Sequence, residues 1–373
     1  MLQACYGVAM QQVARPPRLL PNKVRTIKVG CLNALGPEGP YQVPMQHKTL
    51  EIRDDNSSMD SHVLIGVVTV TFNSAFVIRS FLDSLLKQIH TNFILYVIDN
   101  ASSDATLKSL AEYHDPRIVI VRNSTNVGAA EGNNIGIRAA VKDGCTRVLL
   151  INNDTEFDGD LIVQLQAGLR RHQSDMVVPK IGYFDEPDKI WCAGGYFSRL
   201  RGTSRHFGMD RKDIGQFDHP RAIDYGPTTC MLIKKEVFAR VGLLDVDYFA
   251  YLEDTDFCYR ARQAGIKLFY VPSARLLHKV SSLTGRDSDF TTWYCIRNHV
   301  YHVLKNLPGW QRLVYLPALQ LHLVTKFILL SRKMNAFWLA EKAFWEGVSL
   351  GSSGGRNGGK SSPNRSPSAN HRS

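Results

Sequence analysis

No stretch of this 373-residue chain reads as a good membrane span. The best candidate, residues 313–330, is interrupted by Pro317, Gln320, His322, Thr325 and Lys326. Its seven cysteines, at positions 5, 31, 145, 192, 230, 258 and 295, are odd in number and scattered, with no Cys-x-x-Cys pair. That pattern suggests neither a zinc knuckle nor a disulfide framework. The first twenty residues lack a continuous apolar stretch, so no secretory signal is expected and the expected location is a reducing cytoplasm. An excess of basic charge is also missing where a nucleic-acid binder needs it, because residues 62–304 hold 28 basic against 27 acidic side chains. The net charge of +11 belongs mainly to residues 305–373, with ten basic and two acidic residues. No nucleic-acid partner is expected; a basic tail beside apolar helix suits an anionic membrane surface better.

What is present is an ordinary globular composition, 44% hydrophobic and 21% charged, which excludes a disordered, collagen-like or multi-span chain. Residues 1–61 carry six of the sixteen prolines and no apolar period, and are expected to form a poorly ordered extension, with Met59 an alternative translation start. From Val63 to Val70 a β-branched apolar run suits a strand buried on both faces. Ile78, Phe81, Leu82, Leu85, Leu86 and Ile89 then fall on one helix face, after a cap at Asn73 or Ser74. Strands at 93–98, 118–121 and 147–151 alternate with helices near 104–113 and 129–142. This alternation predicts an α/β, doubly wound, mostly parallel Rossmann-like sheet over residues 62–304. C-terminal amphipathic helices (305–350) and a disordered basic tail (351–373) follow. Within that tail, Gly354, Gly359, Lys360 and Ser361 satisfy a phosphate-loop pattern, but no long strand precedes it, and Pro363 and Pro367 bar the helix that must follow.

Open sheets of this type bind ligands beyond the carboxyl ends of their strands. The first strand ends in Thr71, Phe72 and Asn73, the second in Asp99 to Asp104, the fourth in Asn152, Asn153, Asp154, Thr155 and Glu156. Carboxylates there suit a hard divalent cation held jointly with substrate phosphates; the competing reading is capping, strongest for Asp104. Gly128, Gly132 and Gly136 share one helix face, for close approach either of a ligand or of another backbone. Further on, Glu253, Asp254 and Asp256 open a predicted helix running to Ala264, where the helix dipole alone could explain them, and Asp256 sits four before Arg260, an expected surface pair.

Taken in order, Val68 to Asn73, Asp99 to Asp104, Asn126 to Gly136, Asn152-Asn153-Asp154 and Tyr251 to Asp256 resemble the family 2 glycosyltransferases of GT-A fold, rhamnosyltransferase-like, over about Val63 to Trp310. The resemblance implies an inverting hexosyltransferase that moves a sugar from a nucleotide-diphosphate donor to a saccharide or lipid-linked acceptor in cell-surface polysaccharide synthesis. It implies donor contacts from Thr71, Asn73, Asn126, Gly128, Asn133 and Asn153, and from Asp99 to the base. It also implies an Mg2+ or Mn2+ ion on Asp154, with Asn152 replacing the first Asp of a DxD-like element, and Asp254 as general base, with Glu253 the alternative. His278 is either a metal or diphosphate ligand or a packing residue; Arg297 binds phosphate or braces the fold. Residues 305–350 form either an interfacial helix pair on the inner leaflet or a contact with the catalytic domain or a second copy in a homodimer. The competing function is a noncatalytic nucleotide-sugar-binding scaffold of the same fold.

Overall fold

The structure is a computed structural model that describes residues 62–198, 202–280, 288–329 and 334–353. The expected N-terminal extension and the phosphate-loop-like tail lie outside them. The chain opens as four parallel strands, β1 (Ile65–Thr71), β2 (Phe93–Asp99), β3 (Ile118–Arg122) and β4 (Arg147–Ile151). They are linked by helices α1 (Ile78–Leu86), α2 (Thr106–Ala111) and α3 (Gly128–Lys142). After β5 (Thr155–Phe157) and α4 (Leu161–Arg171) come β6 (Met176–Tyr183), β7 (Ile190–Cys192), a ribbon of β8 (Gly195–Ser198) with β9 (Thr203–His206), β10 (Arg221–Ile223) and β11 (Cys230–Lys234). The remainder is α5 (Lys235–Val241), a 3-10 turn (Val246–Tyr248), α6 (Glu253–Gln263), β12 (Leu268–His278), α7 (Asp289–Asn306), α8 (Gly309–Leu329) and α9 (Met334–Ser352).

The sheet runs β3-β2-β1-β4-β11-β6-β12-β10, with β5 added to β12 and β7 to β6. Only β11 among the central strands is antiparallel to its neighbours, β4 and β6. Strand alternation sends Val68, Tyr96 and Leu150 to one face and Val67, Leu95 and Leu149 to the other, and each face carries its own buried core. Two covered faces explain why β1 reads as a continuous apolar run. On α3 a Cβ at Gly132 would lie 2.8 Å from a Val70 methyl, and one at Gly136 2.2 Å from a Val68 methyl. These two glycines therefore serve helix-to-sheet contact, not a ligand.

Two expectations need correction. Neither Asn73 nor Ser74 caps α1 through its side chain; Asn73 adopts φ 52° and accepts from the backbone N–H groups of Ser103 and Asp104, tying the β1 and β2 ends together. Asp256 and Arg260 are no surface pair: Asp256 is fully buried, its carboxylate held by Arg260 at 2.7 Å, Lys305 at 2.8 Å and Asn306 at 2.8 Å. Burial pushes its pKa up, but the two cations and these hydrogen bonds outweigh burial and hold it at about 2. The last strand also runs further than its apolar period, because the register shifts between Val271 and Arg275, around Pro272, and pairing then resumes to His278.

Candidate active site

The carboxyl ends of β1, β4 and β12 and the turn before β11 meet at one edge of the sheet. The Asn152 N–H donates to the Thr229 carbonyl (3.0 Å), the Asn153 amide to the Val70 carbonyl (2.7 Å) and the Lys279 N–H to the Asp154 carbonyl (2.9 Å). These bonds fix the Asn152-Asn153-Asp154 turn between three strands, over a cavity of about 450 Å³. Asp154 Oδ1 lies 3.2 Å from His278 Nε2, both side chains buried yet lining the cavity. Asn152 is exposed at the same wall. Glu156 turns away to pair with Lys279 at 2.5 Å. Among the described residues no three His, Cys, Asp or Glu side chains cluster as a metal cage. A carboxylate and an imidazole remain, a set suited to an ion that takes its other ligands from diphosphate and water.

Opposite stand Glu253 and Asp254, at the first turn of α6. The backbone that delivers them is strained: Phe249, Tyr251 and Leu252 have φ of 61°, 67° and 66°, a left-handed conformation unfavourable for such side chains. Asn298 holds it there. Its buried amide donates to the carbonyls of Tyr248, Ala250 and Tyr251 at 2.7–2.8 Å. From the other side the Ala129 N–H donates to the Phe249 carbonyl (2.6 Å). A Cβ at Gly128, where φ is +85°, would sit 2.5 Å from that oxygen, so glycine is required on both counts.

Asp254 Oδ2 accepts from the Tyr225 hydroxyl (2.9 Å) and Oδ1 from the Thr255 N–H (2.6 Å). Burial raises its pKa, and these bonds pull it part of the way back. Glu253 is pushed well up by burial and then by the neighbouring Asp254 charge, and its Oε2 has no hydrogen-bond partner among the described residues. The pair thus favours one shared negative charge.

An aromatic wall joins the two carboxylate sites. Trp191 packs edge-on against both His278 and His206 at 4.7 Å, and His206 stacks on Tyr225 at 5.5 Å. Burial lowers the His206 pKa to about 4, so the ring is neutral at pH 7. Its Nδ1, 3.1 Å from the Trp191 carbonyl, must carry the proton, since that oxygen can only accept; Nε2 is left as an acceptor.

Of the residues singled out from sequence, Asn126, Gly128, Asn133, Asn153, Asp154, Glu253, Asp254 and His278 line the cavity. Thr71, Asn73, Asp99 and Arg297 are not in its lining. Thr71 donates to Asp99 (3.0 Å), which also accepts from the Ser102 N–H. Arg297 is engaged by Glu346, the Asp247 carbonyl and Asn298, so it braces α7 against α9 and the 3-10 turn. The sequence reading missed Phe72, Trp191, His206 and Tyr225 as lining residues. Phe72 follows an apolar run at the expected edge and was findable; the other three come from short strands and a turn without periodic signal.

A mostly parallel sheet with carboxylates lining a cavity at its ligand edge is the GT-A architecture. Residues 66–242 match the model of glycosyl transferase family 2, so this part of the chain is a family 2 glycosyltransferase domain. A dTDP-rhamnosyl transferase of Shigella flexneri is 21% identical over 250 residues, covering 65% of this chain and 80% of its own. An N-acetylglucosaminyl-diphospho-decaprenol L-rhamnosyltransferase of Mycobacterium tuberculosis is 26% identical over 251 residues, covering 60% and 78%. A rhamnosyltransferase of Escherichia coli K12 is 39% identical over 119 residues, about a third of each chain. Among solved structures, GalNAc-T7 with UDP, GalNAc and Mn2+ superposes with a TM-score of 0.51 at 19% identity, over 65% of this chain and 48% of that one. The chain is a nucleotide-sugar-dependent glycosyltransferase, and the scaffold reading is not favoured.

Proposed function

We propose that this enzyme transfers rhamnose, with inversion, from a nucleotide-diphosphate sugar to a hydroxyl of a saccharide or lipid-linked saccharide in cell-surface polysaccharide synthesis. The observation that carries this reading is that Asp154 and Asp254 line one cavity of sugar-nucleotide size, joined by a continuous aromatic wall. The nucleoside end lies by Phe72, Asn126 and Gly128, where the exposed Phe72 ring offers a stacking face. Asp154 and His278 would hold a divalent cation, and the imidazole favours manganese over magnesium. When bound, that ion supplies positive charge against the departing diphosphate.

Asp254 takes the proton of the acceptor hydroxyl as the acceptor oxygen bonds to the anomeric carbon and the bond to the diphosphate oxygen breaks on the opposite face. One base suffices for a single displacement, so Glu253 is free to remain neutral and donate a hydrogen bond to a sugar hydroxyl. The same reading places the enzyme on the inner face of the cytoplasmic membrane, reached through residues 305–373. The test is ligand-dependent stability. dTDP-rhamnose with manganese should raise Tm by several degrees, as binding at about 100 times Kd adds roughly 2.7 kcal/mol, and should yield product with a lipid-linked acceptor. A shift with another nucleotide sugar but not with dTDP-rhamnose would contradict the donor assignment.

A further inference from the structure

Helices α8 and α9 are apolar on two opposite sides. Their inner sides are accounted for: Leu319, Leu323, Ala340, Ala343 and Phe344 form a buried cluster with Ile296 and Val300 of α7. Gln320 of α8 donates to Glu341 of α9 at 2.7 and 2.8 Å, locking the hairpin. On α8, about half a turn round from Leu319 and Leu323, Trp310, Leu313 and Leu321 form a second stripe, 66, 79 and 64% exposed. On α9, Trp338 and Trp345 are 56 and 60% exposed, one on either side of Lys342 in sequence and on the side opposite Ala343. A helix apolar all round is normally enclosed by protein or lipid, and large exposed apolar groups gathered on one side mark a contact surface.

We infer that this outer face of the α8–α9 hairpin is a docking surface for an anionic lipid bilayer, into which the two helices sink side-on. Two observations choose lipid as the occupant. The exposed apolar residues are Trp and Leu beside Lys342, while the neighbouring Glu341 and Glu346 are taken up by Gln320 and Arg297, a composition suited to the headgroup region. The segment is also strongly cationic: residues 354–373 add Arg356, Lys360, Arg365 and Arg372 with no acidic residue, complementing anionic headgroups. No described helix is long and apolar enough to cross a membrane, which fits lying on the surface. This deepens the proposed function, because α7 packs on this hairpin at one end and reaches the cavity through Phe290 and Thr291 at the other. A membrane-held hairpin therefore keeps the acceptor side of the cavity within reach of a lipid-linked sugar.

The test is flotation of the full chain with vesicles of phosphatidylglycerol and phosphatidylcholine, against phosphatidylcholine alone. Binding to the anionic vesicles is expected, with a blue shift of tryptophan emission. The double substitution Leu313→Glu and Trp345→Glu, at exposed sites, should weaken binding at least tenfold. It should leave Tm and turnover of a short-tailed soluble acceptor unchanged. Equal binding to both vesicle types, binding unaltered by the double substitution, or a dimer that the substitution converts to monomer would overturn the inference. The vesicle-binding, Tm and oligomer readouts do not depend on the donor or acceptor assignment, so failure here and failure of the proposed function are separable.

Discussion

A general base needs some of its lone pairs held and one left for the substrate. As the proposed base, Asp254 is held on Oδ2 by the Tyr225 hydroxyl and on Oδ1 by the Thr255 N–H and hydroxyl. The Tyr225 bond also lowers a pKa that burial raises. Tyr225→Phe should thus leave Asp254 less well aligned and with a higher pKa. We predict a fall in kcat of about tenfold, the loss of one charge-assisted hydrogen bond, with donor KM unchanged. The sign of the pH effect follows: a base whose pKa rises is protonated at higher pH, so the acid limb of the kcat profile should move upward. A KM change with an unmoved limb would show that Tyr225 contacts substrate instead. At this scale the place of Asp154 in the cavity lining was legible because it stands where an apolar run stops, whereas Glu253 and Asp254 were marked by the family resemblance. Tyr225 was not, because its partner lies 29 positions away and no local pattern marks a tyrosine that orients a base.

Among the elements, the decisive one is the irregular segment from Phe249 to Leu252. It spends conformational strain to aim Glu253 and Asp254 at the cavity, and Asn298 and Gly128 hold it. Asn298→Ala would remove the two N–H donors shared among these three carbonyls. We predict a loss of at least about 2 kcal/mol in denaturant unfolding and a fall in kcat larger than any change in donor affinity. Asn298→Asp, which lacks the N–H donors, should not rescue. The regular elements were readable where periodicity was strong: β2, β4 and α3 fall within one residue of their expected bounds. The short strands β7 to β10 were not, because three- and four-residue segments set by tertiary pairing carry too little alternation. The last seven residues of β12, beyond the apolar run, were hidden by the break at Pro272.

For the whole molecule, a near-neutral catalytic body is joined to a basic, two-faced helical hairpin. Composition located the charge but could not choose between packing and surface contact for residues 313–345, since an apolar side chain looks the same in either role. The hairpin does both, one side buried on α7 and the other exposed. In the proposed mechanism two carboxylates of one cavity act on opposite ends of one reacting bond. The most direct measurement is single-turnover sugar transfer by Asp254→Asn, alongside donor affinity by calorimetry. Transfer should fall by 10² to 10⁴ while the nucleotide sugar binds with unchanged Kd. Near-normal transfer by the folded variant, or loss of donor binding in step with activity, would contradict Asp254 as the base.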